Sequence, residues 1–165
     1  MRYLLVLAIM CLPVFCWAQR QIQNEAADAY HNFLIDYQDS VLSQLDETFL
    51  VLFKRDTLNI PTASDSLNKL NLRAISAVTA RPPYLNDSVF KPSVLQLLLY
   101  YQCFADTVLP QLVSLYSQPT ITVADEQLAK KLYAAFEDGE SPLIQKLLDE
   151  QYNFATRYGL ILSEE

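Results

Sequence analysis

The sequence predicts an all-α protein, an antiparallel four-helix bundle with long first and last helices, preceded by a signal peptide. Three observations point there. Only two glycines, Gly139 and Gly159, occur in 165 residues, whereas a sandwich or barrel needs a turn-forming residue every ten positions or so. Apolar side chains recur at steps of three and four over long stretches, the period of a helix that buries one stripe. Most of the eight prolines stand where one such stretch ends or the next opens. With 52% hydrophobic residues a packed core is expected, and the length suits one domain better than two.

Residues 1–18 read as the signal peptide and 19–165 as the helical domain. Arg2 is the positive end, Tyr3 to Phe15 the apolar run, and Cys16-Trp17-Ala18 before Gln19 the small-residue cleavage pattern. An uncleaved membrane anchor is the competing reading, but about 13 apolar residues fall short of the roughly 20 that span a bilayer. Lipidation of Cys16 is a further alternative, weakened because Pro13-Val14-Phe15 is a poor small-residue approach to such a cysteine. After cleavage no segment is apolar enough to be a transmembrane helix; the greasiest, Val94–Tyr101, is the face of a core helix. Cys11 and Cys16 leave with the leader, so Cys103 stands alone, without an internal disulfide, and reads as a small buried hydrophobe.

The first mature helix runs from Gln21 to about Arg55, with Ala26, Tyr30, Phe33, Tyr37, Val41, Leu45, Phe49 and Leu52 as its stripe. Pro61 ends that periodicity. A second helix starts at Thr62 or Ser64, buries Leu67, Leu70, Ala74, Ile75 and Val78, and ends at Arg81-Pro82-Pro83. The third spans about Pro92 to Tyr116, with Pro110 predicting a kink near Asp106–Thr107 or, in the competing reading, a break. The last opens at Thr122 or Asp125, stops at Asp138-Gly139-Glu140-Ser141-Pro142, resumes with Leu143 and ends at Gly159. Two collinear or bent half-helices are therefore expected.

Laid out this way, the chain resembles a family of exported bacterial surface proteins of unknown function found in spirochaetes and Bacteroidetes. The likeness lies in Asn24-Glu25-Ala26-Ala27-Asp28-Ala29-Tyr30-His31-Asn32-Phe33-Leu34 and in Asp149-Glu150-Gln151-Tyr152-Asn153-Phe154-Ala155-Thr156-Arg157-Tyr158-Gly159-Leu160. It implies a helical fold and an envelope location, periplasm or cell surface, and carries over no functional residue.

Chemistry-bearing patterns are sparse. Twelve basic against 19 acidic residues give −7, and losing Arg2 with the leader makes it −8. Such a surface repels phosphate backbones and anionic lipid, so no nucleic acid is expected as a partner; a basic protein patch or an envelope polymer fits the sign. Asp28-x-x-His31 with Glu25 invites a di-iron reading, but His31 is the only histidine and the second ligand it requires does not exist; a solvated or boundary histidine is the expectation. Glu137, Asp138 and Glu140 lack the alternating spacing of a calcium loop and read as a solvated acidic helix end. No catalytic residue, metal site or cofactor is assigned.

The helical tyrosines suit a bundle rim, ring buried and hydroxyl wet. Tyr84, in a loop beside Arg81, is the candidate partner contact. Asp-Ser/Thr-apolar triplets, at Asp39-Ser40-Val41, Asp56-Thr57-Leu58, Asp65-Ser66-Leu67, Asp87-Ser88-Val89 and Asp106-Thr107-Val108, look like O-glycosylation sites of exported proteins, Thr57 and Ser88 being the most accessible. Capping preference explains some of them. The function that follows is an exported cell-envelope interaction or scaffold protein without enzymatic activity. The alternative is a small binding protein carrying an apolar ligand between helices, in a cavity lined by Leu98, Tyr101 and Phe136.

Overall fold

The computed structural model describes the backbone of residues 2–162 and the side chains of residues 24–162. The expected signal peptide and the lipidation of Cys16 fall outside the described side chains. Five helices follow one another: α1 (Arg2–Phe53), α2 (Ile60–Ala80), α3 (Phe90–Thr107), α4 (Leu109–Tyr116) and α5 (Val123–Tyr158). No strand occurs among the described residues. The broadest packing is of α2 on α1 and α3, and of α3 on α5, whereas α1 and α5 meet along a narrower front. That difference leaves a groove between the first and last helices.

The core is one continuous apolar cluster fed by all five helices. Leu34, Val41, Leu45 and Leu52 of α1 meet Leu67 and Val78 of α2 and Val94, Leu97 and Leu98 of α3, all at 2% exposure or less. Each such aliphatic side chain contributes ~1.5–3 kcal/mol on burial. Ala27 and Leu34 are buried, while Ala26 is exposed and Phe33 and Tyr37 are half-buried. At the start of α1 Tyr30 of the expected stripe is buried, while Ala27 and Leu34 take the buried places expected of Ala26 and Phe33.

Helix ends differ from expectation for local reasons. α2 begins at Ile60, not at Thr62 or Ser64, with Pro61 inside its first turn, where a missing N–H costs nothing. The turn before it is held by Asp56, whose carboxylate accepts from the Asn59 side chain at 2.7 Å. α1 closes with Arg55 at φ +54, the Asp56 amide returning to the Val51 carbonyl at 3.1 Å. Arg55 Nη2 also donates to the Gln118 carbonyl at 2.6 Å, tying the end of α1 to the α4–α5 turn and offsetting a left-handed conformation unfavourable for a residue with a Cβ.

At Pro110 the third segment divides into α3 and α4, with Val108 alone between them. The Gln111 amide shifts to the Val108 carbonyl at 3.0 Å, and its side chain donates to the freed Thr107 carbonyl at 2.8 Å. Pro142 behaves otherwise. The expected stop at Asp138–Pro142 is absent, and α5 is one helix of 36 residues with Pro142 inside. Asp138, Ser141 and Pro142 are all exposed, so the carbonyl that loses its donor is on the wet side, while Phe136 and Leu147 anchor the helix on both sides of the proline. Gly139, expected as a stop signal, is a contact: a Cβ there would lie 2.4 Å from the Tyr100 hydroxyl. The outer ends of α5 match the sequence. Thr122 and Asp125 form a reciprocal capping box and Gly159 closes the helix at φ +68.

Candidate functional site

The groove between α1 and α5 has a volume of about 440 Å³. Ile35 and Leu42 of α1 face Ile144, Leu147 and Leu148 of α5 along its apolar walls, and the tail after α5 contributes Leu160, Ile161 and Leu162. Asp28 and Asp39 bring carboxylates to the α1 side, and among the described residues the lining contains no lysine or arginine. The volume falls in the range of sites that take a small molecule or a set of partner side chains.

His31 lies at one end of the groove. It is 7% exposed, which corrects the expectation of a solvated or boundary histidine. Its ring stacks on Phe90, with centroids 5.6 Å apart. Gln151 Nε2 lies 3.1 Å from Nε2 and Asn32 Oδ1 lies 3.0 Å from Nδ1, a pairing that assigns the proton to Nδ1. Both ring nitrogens are thus occupied by amides, so the imidazole serves as a structural plug. Among the described residues no group of three His, Cys, Asp or Glu side chains could hold a metal ion.

A second polar assembly surrounds Asp87, immediately before α3. Its carboxylate accepts from the amides of Val89 at 3.2 Å, Phe90 at 3.0 Å and Lys91 at 3.2 Å, and from the Tyr30 hydroxyl at 3.0 Å. Three otherwise orphaned amides at the start of α3 are satisfied by one buried side chain. Burial first, and then the Asp87 carboxylate, push the Tyr30 phenol well up. The sequence reading missed this role by treating Asp87 as part of a glycosylation triplet. Its signal was an acidic residue just ahead of an apolar helical run.

A third assembly joins α3 to α5. The Tyr101 hydroxyl and Glu140 Oε1 are both shielded from solvent and interact with each other. Burial and then Glu140 raise the Tyr101 phenol. Burial raises the Glu140 carboxyl, the Tyr101 hydroxyl opposes the rise, and the Asp46 and Glu137 carboxylates add to it. Glu140 is therefore not part of a solvated helix end.

The remaining sequence candidates are dispersed. Tyr84 is half-buried, not an exposed contact; its ring packs on Tyr30 at 5.7 Å and Tyr158 at 5.1 Å. Arg81 is exposed, its guanidinium 4.8 Å from the Phe33 ring centre. Thr57 and Ser88 are exposed. Ser40 and Thr107 are exposed as well, their hydroxyls returned to the helix carbonyls of Asp36 at 2.6 Å and Cys103 at 2.6 Å. Cys103 is exposed, not buried, because it sits on the outer side of α3, away from Tyr101 and Phe104. Leu98, Tyr101 and Phe136, expected around a ligand cavity, are at most 4% exposed, and Phe136 packs against Phe104 with ring centres 4.3 Å apart. No several-hundred-Å³ hollow is described there; a shallow depression of about 120 Å³ touches Phe136 from outside.

No family model, no curated protein and no solved structure matches the chain. Among the described residues no helix is long and apolar enough to cross a membrane.

Proposed function

We propose that the chain is an exported interaction protein of the bacterial cell envelope, a scaffold in the periplasm or at the cell surface with no catalytic step, and that residues 1–18 are removed as a signal peptide. In this reading residues 19–165 form an antiparallel four-helix bundle in which α3 and α4 are a single rod bent at Pro110. Short connections at 54–59 and 81–89 and the order of helix packing support that arrangement.

One observation carries the functional reading: an apolar groove lies beside a first helix whose sequence is acidic, with Asp28 and Asp39 in the groove's lining. From Gln21 to Phe53 the chain has Glu25, Asp28, Asp36, Asp39, Asp46 and Glu47 and neither lysine nor arginine. A surface of one sign beside an apolar trough suits recognition of a partner of opposite sign. The amides on both nitrogens of His31 favour binding over proton transfer. The filled core around Leu98, Tyr101 and Phe136 weighs against an apolar ligand held between the helices.

Crosslinking the chain in its own envelope, followed by mass spectrometry, tests this. The reading requires an N-terminus at Gln19 and a crosslinked partner. A chain that keeps residues 1–18, stays in the cytosolic fraction and yields no crosslink would overturn it.

A further inference from the structure

We infer that a second hollow, between the close of α1, α4 and the first turns of α5, binds a small zwitterion with an apolar body, the size of a dipeptide. Its volume is about 420 Å³, within the range of sites that take small molecules. Leu115, Tyr116, Ile121 and Ala129 give it apolar walls. Arg55, Lys130 and Glu126 bring both signs of charge to the same lining. The hollow is remote from the groove: Arg55 stands about 40 Å from Asp28 along the axis of α1, at 1.5 Å per residue.

The state of these charges points to a ligand. Arg55 adopts φ +54, and its Nη2 donates to the Gln118 carbonyl at 2.6 Å. The guanidinium is thereby fixed at the mouth of the hollow, while its remaining N–H groups keep the planar fork that matches a carboxylate. Backbone held in such an unfavourable conformation gathers at binding sites. Glu126 and Lys130 stand one helical turn apart, in the order that ordinarily pairs. Yet among the described residues no ion pair joins Glu126 to Lys130 or to Arg55. Burial and then the Glu126 carboxylate raise the Tyr116 phenol, so this acidic group acts on the apolar wall. Asp125 is already engaged, its carboxylate accepting from the Thr122 amide at 2.9 Å and hydroxyl at 2.7 Å. Two cations and one available carboxylate thus border an apolar hollow without pairing. A simple anion leaves Glu126 unanswered, and a simple cation meets Arg55 and Lys130. A molecule with carboxylate and ammonium ends joined by apolar side chains complements both.

The test is isothermal titration calorimetry of the purified chain at neutral pH with leucyl-leucine, its N-acetyl derivative and its C-terminal amide. Leucyl-leucine binds one to one. The N-acetyl derivative, an anion, binds about threefold more weakly, the scale of one exposed ion pair. The amide, a cation, binds at least tenfold more weakly, as expected when a charge-assisted fork is lost. Arg55→Gln lowers leucyl-leucine affinity at least tenfold for the same reason. Glu126→Gln lowers it about threefold and leaves the N-acetyl derivative unchanged. Both variants keep wild-type circular dichroism, and the exposed Glu126 decides the matter even where Arg55→Gln unfolds. Equal affinities for the three probes overturn the proposal, as does leucyl-leucine binding undiminished in either variant. So does the absence of binding at about 5 mM, well above the dissociation constant that a ligand of this size allows. This site is separate from the groove between α1 and α5, so its failure leaves the interaction reading standing.

Discussion

Replacing Gly139 by alanine tests whether this glycine is a helix-weakening residue or a packing contact, because the two roles give opposite signs. In an ordinary helix interior Gly→Ala stabilises by about 1 kcal/mol. Here the new Cβ would stand 2.4 Å from the Tyr100 hydroxyl and 3.0 Å from Cζ. Tyr100 is half-buried, so its ring can swing outward, but only by releasing two interactions. Its hydroxyl donates to the Phe136 carbonyl at 2.8 Å, worth about 1 kcal/mol. Its ring stacks on Phe136 with centroids 5.6 Å apart and planes at 21°, worth about another 1 kcal/mol. About 2 kcal/mol lost against about 1 gained leaves Gly139→Ala destabilised by about 1 kcal/mol, or about 3 °C in Tm for a chain of this size. In a Tyr100→Ala background nothing obstructs the methyl group, and the same substitution stabilises by about 1 kcal/mol. Urea denaturation followed by circular dichroism on the four proteins of this cycle gives the coupling directly. Equal stabilisation by Gly139→Ala in both backgrounds would refute the contact.

Three further outcomes follow from the polar assemblies and the exposed hydroxyls. Because burial and neighbouring carboxylates raise the Glu140 carboxyl, the folded chain holds that proton more tightly than the unfolded one. Its contribution is complete below the ordinary glutamate value of about 4.3 and is lost as pH rises through the raised folded value. Glu140→Gln therefore stabilises the protein at about pH 7 and not at about pH 3.5; an equal gain at both pH values in urea titrations would contradict the assignment. Asp87→Ala strands three amides and the Tyr30 hydroxyl, and costs about 2–4 kcal/mol. Asp87→Asn, which keeps one acceptor oxygen, costs less, and equal midpoints for these two variants would argue against the cap. If Thr57 and Ser88 are glycosylated, intact mass spectrometry of chain taken from its own envelope shows an excess that disappears in a Thr57→Ala/Ser88→Ala variant; a mass equal to that of the polypeptide alone excludes it.

Legibility in the sequence follows the range of the forces involved. The helical class, the capping box at Thr122 and Asp125, the αL glycine at 159 and the interruption at Pro110 are set by neighbours within a turn or two, and each could be read from spacing and residue type. Pro142 could not, because its local cost is the same as at Pro110 while the outcome depends on Phe136 and Leu147 gripping α5 on both sides. Gly139 beside it looked like a stop for the same reason: the Tyr100 ring that explains it is 39 positions away. Tyr84 failed as an exposed contact because its loop folds back onto Tyr30 and Tyr158, and His31 as a solvated group because α3 and α5 supply Phe90 and Gln151 to cover it.

The groove shows how these two kinds of information combine. That α1 lacks any lysine or arginine between Gln21 and Phe53 is plain from the sequence, yet in a lone helix it signifies only a polar, water-facing side. Ile144 and Leu148 taken alone read as an ordinary apolar stripe on α5. Their meaning changes when narrow contact between α1 and α5 leaves those aliphatics beside Asp28 and Asp39 instead of sealing them. A fully closed bundle would have placed Leu148 in the core and left α1's charge as a solvating surface.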